Sequence, residues 1–172
     1  MGPFRQPDRR SCGAAVLVMS RMLAEPAYAR WVGDGAEPAN RFADEVLRTH
    51  RRTNRPRDAR GRFQLPWPRA LGTQPWALAR ELPGRHRVAR VRSRSHAWQR
   101  IVRADQPVPL YVGSDLLPRH VVLVTGRDAD DRVRVYEPTA GAALRVDRAD
   151  FLAGSLDLAG WDRPWFLVLP GT

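Results

Sequence analysis

The sequence contains no lysine, a single isoleucine (Ile101) and a single cysteine (Cys12). One cysteine excludes an internal disulfide framework and any cysteine-rich zinc site, so Cys12 is a packed small hydrophobe, a redox group or a nucleophile. No metal and no cofactor is expected. Long apolar runs are missing too: the stretch from Ala14 to Met19 is far shorter than the ~20 residues that span a bilayer. The opening "MGPFRQPDRR" carries charge but no apolar segment of the kind a signal peptide needs. These absences lead to the expectation of a soluble protein without a membrane partner, cytoplasmic or exported by a route not encoded in this chain.

With lysine absent, all 29 basic residues are arginine, set against 18 acidic ones for a net charge of +11. Clustered positive charge draws polyanions by counterion release. The same composition, rich in Ala, Gly, Pro, Val and Leu, is also what a GC-rich coding sequence produces, so the charge alone does not name a partner. A nucleic acid is therefore carried as an alternative and not as the favoured partner. The tryptophans, among them Trp67, Trp76, Trp98, Trp161 and Trp165, follow no spacing of a base-stacking platform and read as core or rim aromatics.

At 172 residues the chain has the size of one domain, able to bury well over half of its unfolded surface without staples. Its two parts differ in pattern. From Cys12 to Leu23 the residues are apolar around nearly the whole circumference, which predicts a helix buried on most sides, with Ser11 as N-cap and Cys12 at the first helical position. A second helix is expected from about Pro38 to Arg52, where Phe42, Val46 and Leu47 recur at helical spacing. The Arg-, Pro- and Gly-rich stretch from Arg51 to Pro68 has no periodicity and reads as a loop. A short helix within Thr73 to Gly84, a strand from His86 to Arg92 and a helix capped by Ser95 complete the first part.

The second part is a series of short Val-, Leu- and aromatic-rich runs bounded by turn residues. They are Val108 to Gly113, His120 to Gly126, Arg132 to Pro138, Ala142 to Val146 and Trp165 to Pro170. "RDADD" and "PTAGA" join successive runs as hairpins. The layout is α+β: a helical half over about 1–105, then an antiparallel sheet half over about 106–172, with the sheet packed on the first helix.

A nucleophilic cysteine requires a base, a group that orients the base, and donors for the oxyanion. Cys12 stands at a predicted helix N-terminus, where unsatisfied amides favour thiolate over thiol. Of His50, His86, His96 and His120, the last opens an apolar strand after "LLPR", whereas the others sit on charged or arginine-rich segments. Glu137, at the end of the next strand, is within one hairpin of His120 and can hold the imidazole in one tautomer. Asp128, Asp130 and Asp131 in the intervening turn are alternative partners. Gln6 and the Cys12 amide are candidate oxyanion donors. Each of these residues, taken singly, also has an ordinary structural reading.

Gln6, five residues, then Cys-Gly-Ala-Ala before an apolar helix resembles the start of the papain-like cysteine peptidases. It is most similar to the bacteriocin-leader-processing (double-glycine leader) peptidases. The later segments "HVVLVTG" and "VYEPTAG" resemble that family's histidine and acidic motifs, "QPVPLYVG" its strand before the histidine, and "VDRADFLAG" its short helix after the last hairpin. The resemblance covers most of the chain. It implies Cys12 as nucleophile, His120 as base, Glu137 as orienting residue and Gln6 as the oxyanion-hole side chain, in a cleft between a helical and a sheet half.

One departure is that the family usually carries Asp or Asn where this chain has Glu137. No ATP-binding or membrane domain accompanies the motifs, so export-coupled processing is not implied. The expected activity is hydrolysis of an amide bond in a peptide or protein through a thioester. Glutamine deamidation or transamidation by the same triad is one alternative, in a processing enzyme, an effector or a toxin. A non-catalytic domain that binds nucleic acid or an acidic protein through Arg51–Arg62 and Arg85–Arg103 is the other.

Overall fold

The computed structural model describes residues 4–57, 61–63 and 72–171. Helix α1 (Cys12–Ala24) is the central element of the first part, and every residue from Cys12 to Ser20 is buried. Its apolar circumference explains this, because three sets of neighbours cover it. Phe42 and Val46 reach it from α3 (Pro38–Thr53), Leu78 from α4 (Pro75–Glu81), and Tyr111, Val121 and Leu123 from the sheet. Between α1 and α3 lies α2 (Pro26–Gly33), which the sequence pattern does not reveal: it buries only Val32 and therefore has no apolar stripe to recognise.

Among the described residues six strands form one antiparallel sheet in the order β1-β6-β2-β3-β4-β5. They are β1 (His86–Arg90), β2 (Val108–Gly113), β3 (Pro118–Arg127), β4 (Arg132–Glu137), β5 (Ala142–Asp147) and β6 (Arg163–Pro170). The mixed α+β layout and both hairpins agree with the sequence-based expectation, but the division into a helical and a sheet half is less clean. Strand β1 comes from the helical half and pairs along the edge with β6. Helices α5 (Arg94–Arg103) and α6 (Arg148–Ala153) cover the sheet face opposite α1, where Trp98, Ile101 and Phe151 pack on Leu110, Val122, Val135 and Leu167. With both faces covered, the central strand β2 is buried at every position, which is why its sequence is a continuous apolar run and not an alternation.

Two cap assignments change. Ser11 occupies the N-cap of α1, but its hydroxyl donates to the Asp8 carbonyl at 3.4 Å and caps no amide. The cap of α5 is Ser93, whose Oγ accepts from the His96 amide, and Ser95 lies inside the helix. Of the loop expected over Arg51 to Pro68, 51–53 finish α3, Arg57 and Phe63 form an isolated bridge, and 58–60 and 64–68 lie outside the described residues. Among the described residues no helix is long and apolar enough to cross a membrane.

Candidate active site

Cys12 is the first residue of α1, so its amide and the next two are among those a helix leaves without internal acceptors; the first intrahelical bond runs from Ala15 N to Ser11 O. The thiol is near enough to His120 to act on the titration of the imidazole. Gly72 also stands beside the sulfur, in the left-handed region with φ +73°; a Cβ there would lie 3.5 Å from Cys12 Sγ and 3.2 Å from the Arg10 carbonyl. The residue is only 2% exposed, and glycine at 72 keeps a side chain from closing over the sulfur. Thr73 then packs so close to α1 that a Cβ on Gly13 would meet its Cβ at 2.6 Å. Tyr111 fixes this wall from the sheet, donating its phenolic hydrogen to the Thr73 carbonyl at 2.9 Å.

His120 sits near the start of β3, beside an irregularity in the β2 pairing. Val112 faces His120 and Gly113 faces Pro118, which leaves Arg119 as the extra residue of a bulge. Neighbours that a regular strand would send to opposite faces, Arg119 and His120, therefore both line one cavity of about 480 Å³. Gln6, Arg9, Thr139 and Trp161 also contribute to its walls.

Glu137 ends β4, alongside the first half of β3 by the pairing of Leu123 with Tyr136. Its Oε1 receives the His120 Nε2–H at 2.7 Å and the Thr139 amide at 2.8 Å, and its Oε2 receives the Ala140 amide at 2.6 Å. Both side chains of the pair are buried. With Nε2 committed to Glu137, Nδ1 is the ring nitrogen left for the thiol. The alternative partners are occupied elsewhere: Asp128 pairs with Arg145, Asp130 with Arg132 and Asp131 with Arg148. The longer glutamate side chain reaches the imidazole while its carboxylate closes the turn that follows it.

Burial by itself would disfavour the imidazolium, but the neighbouring Cys12 and the bonded Glu137 carboxylate outweigh it and raise the His120 pKa to about 9. Burial would likewise disfavour the Glu137 carboxylate, yet its hydrogen bonds from His120, Thr139 and Ala140 and the histidine's charge lower it to about 2. The arrangement thus favours a charged imidazolium beside the Glu137 carboxylate.

Gln6 reaches the cleft because the chain before it is tied to the β4–β5 turn. Tyr136 Oη donates to the Phe4 carbonyl at 2.7 Å, Arg5 Nε to Thr139 O at 3.2 Å, and Gln6 N to Pro138 O at 2.8 Å. Gly141, with φ +64°, permits the approach, since a Cβ there would stand 2.9 Å from the Phe4 carbonyl carbon. The Gln6 side chain does not offer its whole amide to a substrate: Nε2 donates one hydrogen to Asp8 O at 2.7 Å, and Oε1 is buried with no partner among the described residues. One N–H donor is left over.

All four residues singled out in the sequence come together at this end of the sheet. His50 lies on α3 against Asn54, His86 opens β1, and His96 is in the first turn of α5. The wall of Gly72 and Thr73, the Tyr111 hydroxyl and the paired approach of Arg9 and Arg119 were not anticipated. A glycine next to threonine gives no local signal of packing on a helix 60 residues earlier, and a bulge cannot be read from one strand alone. Compared with models of known protein families the chain matches none, and no curated protein matches it in sequence.

Proposed function

We propose that this chain is a papain-like cysteine hydrolase that cleaves an amide bond of a peptide or protein. The observation that carries the reading is the grouping of Cys12 at the start of α1 with His120 near its thiol and buried Glu137 bonded to the imidazole at 2.7 Å. Buried ionisable groups are costly unless each has a partner, and a packed structural cysteine has no need of one. The position of Cys12 at a helix N-terminus supports the same reading.

In this reading the Cys12 sulfur attacks the carbonyl carbon of the scissile amide. The oxyanion is received by the Cys12 amide and the remaining N–H of Gln6. The C–N bond then breaks as His120 passes its proton to the departing amine, leaving an acyl group on sulfur as a thioester. Water, deprotonated by His120, attacks the thioester and releases the acid and the thiol. Glu137 is a positioning residue: it fixes the ring so that Nδ1 faces the sulfur, and it stabilises the imidazolium.

Intact-mass spectrometry after brief exposure to a low dose of iodoacetamide near neutral pH tests the reading. Rapid addition of one label at Cys12 is expected, collapsing in His120→Ala and diminished in Glu137→Ala. A thiol that stays unlabelled until the protein is denatured would sink the proposal, and Cys12 would then be a core residue.

A further inference from the structure

The cavity beside His120 bears on what the enzyme cuts, and the reasoning rests on the hydrolase reading above. A proton that leaves His120 for the departing amine fixes which part of the substrate lies nearby. The fragment released as the amine has to lie beside His120, in the cavity that His120 lines.

Arg9 and Arg119 line that cavity, and among the described residues no acidic one does. Among the described residues neither guanidinium has a hydrogen-bonding, ionic or aromatic partner. Arginines close by are engaged: Arg5 donates to the Thr139 carbonyl, and Arg163 pairs with Asp115. The two free ones arrive from separate parts of the chain. Arg9 comes from the loop before α1, and Arg119 comes from the bulge, which places it in the same cavity as His120. Two unpaired cations beside an imidazolium repel one another and gain from an anion placed among them.

We infer that the leaving side of the scissile bond carries a carboxylate, bound by Arg9 and Arg119. An acidic side chain just after the cleaved bond and a free C-terminal carboxylate share this chemistry.

The thiol itself reports the field without a known substrate. Rates of Cys12 alkylation by iodoacetate, an anion, and by neutral iodoacetamide are measured at low ionic strength for the wild type, Arg9→Gln/Arg119→Gln and a distant control, Arg30→Gln. The ratio of the two rates is the readout, so a change in the thiol's own reactivity cancels. The double variant is expected to lower the ratio by roughly fivefold, an effect that fades with added salt, and the control is not. An unchanged ratio overturns the inference while leaving the hydrolase reading intact. Failure of both reagents to label native Cys12 removes the hydrolase reading and the inference with it.

Randomised peptides made with free and with amidated C-termini separate the two carboxylate sources. Cuts confined to the last few bonds of the free acids assign the terminal carboxylate. Asp or Glu enriched after the cut in both sets assigns the side chain, and cleavage with neither preference overturns the inference.

Discussion

Glu137 holds His120 at 2.7 Å with the same carboxylate that closes the turn after β4 through the amides of Thr139 and Ala140. Fixing the imidazole and shaping the turn are therefore one structural act. The same turn anchors residues 4–6, so a change at Glu137 is felt by Gln6 as well as by His120.

The first expected outcome concerns stability against pH. His120 is raised from 6.5 to about 9, so its contribution is complete below about pH 6.5 and is lost as pH rises through about 9. Glu137 is lowered from 4.5 to about 2, so its contribution is complete above about pH 4.5 and is lost as pH falls through about 2. Urea unfolding of the wild type and Glu137→Gln should therefore differ most between about pH 4.5 and 6.5 and converge toward both extremes. A gap that is the same at pH 3, 5.5 and 9.5 would contradict the assignment.

The second concerns the rate. Proton delivery to the leaving amine requires a charged His120, so peptide cleavage should hold up until about pH 9 and then decline. Removing the carboxylate in Glu137→Gln removes one of the interactions that keep the ring protonated, and the alkaline limb should move to lower pH. A merely structural role for Glu137 would lower the rate without moving the limb.

Much of this site was legible because its signals are local. A lone cysteine before an apolar run, a histidine opening a strand and a Glu-Pro closing the next strand are each read within a few residues, and one hairpin brings the last two together. The second layer was not legible. Gly72 and Thr73 press on α1 from the far side of a stretch whose sequence has no periodicity, and Arg119 depends on a pairing irregularity with β2. Helix α2 has only Val32 in the core, too little to leave a pattern. Ser93 and Ser95 both suit an N-cap, and only the extended backbone of Ser93 decides between them.

The third tests that second layer. In an open helix Gly13→Ala would gain up to about 1 kcal/mol from helix propensity. Here the new methyl would meet Thr73 Cβ at 2.6 Å, and Thr73 is held by the Tyr111 hydroxyl. Overpacking of this kind costs about 1–3 kcal/mol, so Gly13→Ala should destabilise. Combining it with Thr73→Gly should recover part of the loss, a non-additivity of more than about 0.5 kcal/mol in a double-mutant cycle. Additive effects would mean that the two positions do not press on each other.

The fourth concerns the tether that brings Gln6 to the cleft. Tyr136→Phe leaves the buried ring in place but removes the hydrogen bond to the Phe4 carbonyl. An unsatisfied buried acceptor costs about 1–3 kcal/mol, to be read as a lower urea midpoint. Amide exchange at Gln6, whose N–H bonds Pro138 O, should quicken more than exchange in the centre of the sheet. Equal acceleration throughout would mean that the bond supports the whole fold and not this strap.

The last concerns Gln6 itself, where two uses of one amide compete. Its Nε2 already donates to Asp8 O, and that bond holds the side chain in the loop that leads to Cys12. If the second N–H serves the oxyanion, Gln6→Ala should lower cleavage of the peptides that the wild type cuts by about 10²–10³-fold, equivalent to about 2.7–4 kcal/mol. Alkylation by iodoacetamide forms no oxyanion and should respond far less. Gln6→Glu sharpens the distinction: it replaces the donor with an acceptor, opposes the developing negative charge and loses the bond to Asp8 O. If Gln6 served only to brace the loop, Gln6→Ala would slow alkylation and cleavage in parallel. A loss confined to cleavage is the outcome that its place in the cavity with His120 leads us to expect.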